Sequence, residues 1–192
     1  GVHGDEPEGY SFAENFLRRG DWKQFEGQIE IHVISRMNPD GCLANMRQNA
    51  NGVDLNRNMS TKDWTSKAAN ERYIPGAEPA SEPETKILIQ LLEMHSFAAI
   101  LTFHSFDPMI NYNGPSLGLA KAIAEKCGYK VTSDIGYPTP GSLGTWAGAE
   151  RGIPTITYEI ERGLDAASSW ALHAPAVIHG LQYLVQHAGK AE

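Results

Sequence analysis

Four strand-like runs separated by stretches of helical periodicity constrain the fold of this chain more than any other feature. "QIEIHVISRM" (28–37), "AAILTFHSF" (98–106), "YKVTSD" (129–134) and "IPTITYEI" (153–160) are rich in β-branched and aromatic residues. Apolar residues spaced three and four apart predict helices over about 6–19, 82–96, 116–128 and 165–188. Strands alternating with helices predict an α/β sandwich around a largely parallel sheet. The 192 residues suit one domain, 1–192, with a sizeable core. In "ASEPETK", Ser81 is the expected N-cap, with Glu82 and Glu84 in the first turn near the positive end of the helix dipole. The stretch 59–80 has little periodicity and reads as a surface excursion of the kind that walls a site.

The loop "GVHGDEPEG" enters the first helix, a junction found at the carboxyl end of a strand, where open α/β sheets bind ligands. The strand that would feed this loop is not in the sequence, so at least one N-terminal strand is expected upstream. His3 and Glu6 on this loop are potential metal ligands, although a His-x-x-Glu spacing is common on solvated helix faces. His104 ends the apolar run "ILTFHSF" and would emerge at the same edge of the sheet. Two imidazoles and one carboxylate make the three-ligand pattern of a catalytic zinc site with an open fourth position. On its own, His104 also fits a core histidine with a satisfied hydrogen bond.

"NPDG" (38–41) is turn chemistry. In "MRQNANGVDLNRN", Arg47, Asp54, Asn56 and Arg57 fall within eleven residues. Solvated arginines are the ordinary reading, yet two guanidiniums beside a metal site suit a substrate carboxylate and a developing oxyanion. Glu159 lies near the end of an apolar strand, and a buried glutamate there suits a general base. Glu161 shares its face by strand alternation. Tyr137 sits in the Gly/Pro-rich loop "IGYPTPGS", which could carry its hydroxyl to a substrate.

These motifs in this order resemble the zinc carboxypeptidase family of the carboxypeptidase A type, over nearly the whole chain. Segments such as "NANGVDLNRN" and "GYPTPGS" resemble its bacterial branch of murein peptide amidases. The resemblance implies a three-layer α/β/α sandwich with a mostly parallel, mixed sheet. It implies one Zn2+ held by His3, Glu6 and His104, with Asp54 orienting the first histidine. It further implies Glu159 as base and proton shuttle, Arg47 at the carbonyl and oxyanion, and Asn56 with Arg57 on the substrate carboxylate. Tyr137 would close over the substrate. Gly144 aligns with the base of the side-chain pocket, giving neither an apolar nor an acidic floor and room for an unusual residue such as diaminopimelate.

The implied activity is hydrolysis of the γ-D-glutamyl–meso-diaminopimelate bond. The alternatives are a carboxypeptidase on ordinary peptides and an N-acyl amino-acid deacylase of the succinylglutamate desuccinylase and aspartoacylase kind. The expected partner is a small peptide with a free carboxylate, a muropeptide. A net charge of −7 with no basic stripe argues against nucleic acid, and no apolar run reaches a membrane span of roughly 20 residues. Cys42 and Cys127 fit a reducing, cytoplasmic setting. Oligomeric state is left open. His32, His95, His173, His179 and His187 read as packed, surface or partly buried residues, and the methionines show no cofactor pattern.

Overall fold

The computed structural model describes residues 1–187. Helix α1 (Pro7–Arg19) is followed by the short α2 (Pro39–Ala44) and by α3 (Pro83–Met94). Strands β1 (Ile100–Phe106) and β2 (Met109–Asn113) precede α4 (Leu117–Cys127) and β3 (Lys130–Thr132). A π-helical turn (Gly144–Ala149), β4 (Thr155–Glu161) and α5 (Ala166–His187) complete the order. The expected helix at 165–188 thus matches α5, with residue 188 outside the described residues.

The sheet order is β1-β4-β2-β3. β1 runs parallel to β4 and β2 parallel to β3, while β2 and β4 are antiparallel, so the sheet is mixed and mostly parallel as expected. Ile156, Tyr158 and Ile160 of β4 bury one face against Phe12 and Phe16 of α1, Leu119 and Ile123 of α4 and Val177 of α5. On the other face, Leu88 and Leu92 of α3 pack with Met59, Leu143 and Trp146. Odd and even residues of β4 therefore have different work. The even ones fill the helix-side core, and the odd ones, Glu159 among them, face the side on which the chain's polar loops gather.

Some expectations need correction. No strand forms over 28–37. Residues 29, 31, 33, 35 and 37 are half-buried and 28, 30, 32, 34 and 36 exposed, as in a strand, but no described strand runs beside them. A cleft of about 250 Å³, lined by Ile29, Ile31, Val33, Leu101 and Phe103, separates this segment from the outer edge of β1. Alternation follows burial, whereas a ladder requires a neighbour within hydrogen-bond reach. Ser81 does not cap α3. Glu82 takes the N-cap position ahead of Pro83, and its carboxylate accepts from Asn49 and Asn51 at 2.8 and 2.7 Å and from Ser81 at 2.6 Å. This buried knot ties the start of α3 to the 49–51 loop.

Asn-Pro-Asp-Gly opens α2 rather than a bare turn, with Asn38 Oδ1 accepting from the Gly41 amide at 2.9 Å. His173 is neither surface nor partly exposed. It is wholly buried in the core, with its Nδ1 2.7 Å from the Tyr158 hydroxyl. β2 was not anticipated, since the asparagines at 111 and 113 weaken a five-residue strand signal.

Candidate active site

His104 and Glu159 are direct partners in the parallel β1–β4 register, so both side chains leave the same face at the carboxyl ends of these strands. The loop before α1 brings His3 and Glu6 to that edge. His3 Nδ1 lies 2.9 Å from Glu6 Oε1, and His104 Nδ1 lies 2.9 Å from Glu6 Oε2 and 3.1 Å from His3 Nδ1. All three residues are at least 96% buried. Two imidazole nitrogens and a carboxylate so close repel one another unless a proton or a cation sits among them. Ligand atoms around a tetrahedral zinc are about 3.3 Å apart, so these residues suit the ion that their types imply.

Asp54 stands behind the three. Its Oδ1 is 3.0 Å from His3 Nε2 and accepts the Asn56 amide at 2.9 Å, while Oδ2 accepts from Arg47 Nε at 2.8 Å. Burial would raise its pKa, but His3, Arg47 and Arg57 outweigh that and hold the carboxyl well below the usual range. One carboxylate thus fixes the tautomer of His3, aims Arg47 and starts the turn carrying Asn56 and Arg57. Arg47 also donates to Glu6 Oε1 at 3.2 Å. Asn56 Oδ1 accepts the Leu143 amide at 2.9 Å, which leaves its Nδ2 to donate elsewhere, and Arg57 is anchored by Nη1 on the Asn56 carbonyl at 2.7 Å.

Glu159 is 4% exposed, and its Oε2 has no hydrogen-bond partner among the described residues. Burial, reinforced by the charge of Glu6, pushes its pKa up to about 8 against the pull of His3, Arg47 and Arg162. Glu161, which shares its face, is exposed and stands outside the cavity. A cavity of about 270 Å³ joins His3, Glu6, His104 and Glu159 to Arg47, Asn56, Arg57, Tyr137 and Gly144. Every site residue singled out in the sequence except Asp54, which lies behind the wall, lines this one space.

Gly144 does not leave the floor bare, however. A Cβ built on it would fall 2.4 Å from Asn113 Oδ1, so the floor is an amide. Tyr73 was also missed. Its ring lies 5.0 Å from the guanidinium carbons of both Arg47 and Arg57, a spacer between two like charges. Its neighbour Arg72 pairs with Asp5 at 2.8 Å, and Arg162 donates to the carbonyls of Asp5 and Ser105. Tyr73 and Arg72 belong to the aperiodic excursion, in which no spacing marks them. Tyr137 is 37% exposed, with its ring 6.4 Å from that of Tyr73.

Residues 9–168 match the zinc carboxypeptidase family model. Murein peptide amidase A of Escherichia coli K12 is 38% identical over 140 residues, 67% of this chain and 57% of that protein's length, so the match spans little more than half of the relative. The amidase of the same name from Vibrio campbellii is 32% identical over 91% of this chain and 76% of its own. The crystal structure of murein-tripeptide amidase from E. coli O157 superimposes with a TM-score of 0.78 at 29% identity, covering 100% of this chain and 81% of that one. With a family match running through most of its length, the chain belongs to the zinc carboxypeptidases.

Proposed function

We propose that the chain is a zinc-dependent amidase that hydrolyses the γ-D-glutamyl–meso-diaminopimelate bond of murein peptides. The observation that carries the reading is Glu159: a buried carboxyl with an unpartnered oxygen, in one cavity with a His/Glu/His triad and two arginines. The names of the amidase relatives support the choice of substrate. His3, Glu6 and His104 would hold one zinc, which when bound would supply Lewis acidity to the scissile carbonyl and to water.

The protein's own groups do the rest. Ionised Glu159, a form that the positive charge of a metal ion beside Glu6 would favour, takes on Oε2 a proton from the attacking water as the water oxygen bonds to the carbonyl carbon. Arg47, held by Asp54 and Glu6, keeps a guanidinium N–H for the oxygen that becomes negative. When the C–N bond breaks, Glu159 returns the proton to the departing amine. Asn56 Nδ2 and the free N–H groups of Arg57 grip the carboxylate beside that amine, and Tyr137 closes over it. Asp54 keeps His3 and Arg47 in register throughout. No described helix is long and apolar enough to cross a membrane. The two free cysteines, both buried, accord with the proposed cytoplasmic site of action.

The test is incubation with L-Ala-γ-D-Glu-meso-diaminopimelate and with a plain peptide ending in an aromatic or basic residue. Release of diaminopimelate at a far higher kcat/KM supports the reading. Faster release of the ordinary C-terminal residue would replace it with a general carboxypeptidase, and cleavage only of N-acyl amino acids with a deacylase.

A further inference from the structure

The far end of the cavity is built as carefully as its reactive end. β2 and β4 are antiparallel, with Met109 opposite Glu159, Asn111 opposite Thr157 and Asn113 opposite Thr155. Directly opposed residues share a face, so Asn111 and Asn113 descend from the level of Glu159 in two-residue steps of about 6.8 Å each. Asn113 therefore lies roughly 14 Å along the strand from that level, at the bottom of the space beside the reactive groups.

Two glycines of the π-helical turn make room for it. A Cβ on Gly144 would meet Asn113 Oδ1 at 2.4 Å, and one on Gly148 would meet Asn113 Cβ at 2.5 Å. The Asn113 amide nevertheless makes no hydrogen bond with any described residue, although it lines the cavity. Asn111, 7% exposed, donates from Nδ2 to the Thr132 carbonyl at 3.1 Å, which leaves its Oδ1 as an acceptor. Thr157 adds a hydroxyl opposite. No charged side chain belongs to this floor; Asp134, the nearest acid from the adjoining loop, is exposed at the rim with Oδ1 on the Gly136 amide.

An uncharged floor that offers both donors and acceptors suits a group that carries both and has no net charge. A lysine or arginine end would lack a carboxylate, and an apolar end would leave two amides without partners, the mismatch that hydrogen-bonding sites reject most strongly. We propose that Asn113 reads the far end of the side chain on the leaving residue, and that the pocket takes a side chain ending in an ammonium–carboxylate pair. The inference rests on the amidase reading above, and it adds the residue that confers the choice. Gly144 and Gly148 act in it by leaving space for Asn113.

Four γ-D-glutamyl peptides that differ only in the leaving residue test it: meso-diaminopimelate, 2-aminopimelate without the second amine, lysine without the second carboxylate, and norleucine with neither. The wild-type chain should prefer diaminopimelate at least tenfold in kcat/KM over each of the others. Asn113→Asp, of the same shape, should lower kcat/KM for diaminopimelate tenfold or more, mainly through KM, and raise it for lysine. Asn113→Ser should flatten the series. Bound zinc and melting temperature, measured alongside, separate this from misfolding. Both variants keeping the wild-type order would overturn the role of Asn113 and leave the amidase reading intact. Failure of the wild type to cleave any of the four would overturn that reading and the inference together.

Discussion

Glu159 and Glu161 stand two residues apart on one face of β4; Glu159 is enclosed, with Oε2 unpartnered among the described residues and its pKa raised to about 8, whereas Glu161 is exposed. Glu159→Gln is expected to retain zinc and lower kcat by roughly 10²–10⁴-fold, the scale of acid–base catalysis. Glu161→Gln should leave kcat within a factor of two, and steady-state kinetics with metal analysis on both variants checks the pair. The ligand residues were legible because His-x-x-Glu and a strand-end histidine carry their chemistry in type and spacing. Alternation alone could not choose between the two glutamates. Tyr73 was illegible because its role exists only where two arginines from another segment meet it. Asn113 was hidden for a related reason: its meaning lies in a Cβ that Gly144 lacks.

Among the elements, α2 does more than its six residues suggest. Asn38, wholly buried, caps it through Gly41 and donates from Nδ2 to the carbonyls of Val2 and Arg47 at 3.3 and 3.2 Å. It thereby joins the loop of His3 to the segment of Arg47. Asn38→Ala removes the cap and leaves buried groups unpaired, so unfolding by urea should report a loss of about 2–4 kcal/mol, with weaker zinc binding. α5 carries a pH dependence of its own. Burial depresses His173 to about 4 from its ordinary 6.5, so the folded state holds it neutral while the unfolded chain takes up a proton below 6.5. The unfolded state binds more protons in that window, and stability should fall as pH drops from 6.5 to 4, by up to about 3 kcal/mol. His173→Gln, which keeps an acceptor for Tyr158, should remove that slope in melts run across the window. The helices were readable from periodicity, since each buries one face. The segment 28–37 was misread because its pattern reports half-burial and is silent about a neighbouring strand.

At the scale of the whole molecule, the site draws on residues far apart in the chain. Saturating zinc at a thousand times its Kd should add about 4 kcal/mol of stability. Chelation should therefore lower the melting temperature by roughly 10 °C for a domain of this size. A Glu6→Gln variant should start near the lower temperature and respond little to chelator. His3 and His104, 101 residues apart in sequence, meet at 3.1 Å. An ion shared between them is a removable crosslink around a loop more than half the chain long. A covalent bridge over such a span restrains the denatured chain by about 4–5 kcal/mol of lost freedom, and a coordinate bond inherits the same topology with the difference that it can be undone. With His3 and Glu6 as ligands, the loop of residues 1–6 would then be clasped or loose according to the metal supply. A protease that ignores the loaded protein should cut first within this loop once the ion is withdrawn, before the sheet and its helices give way.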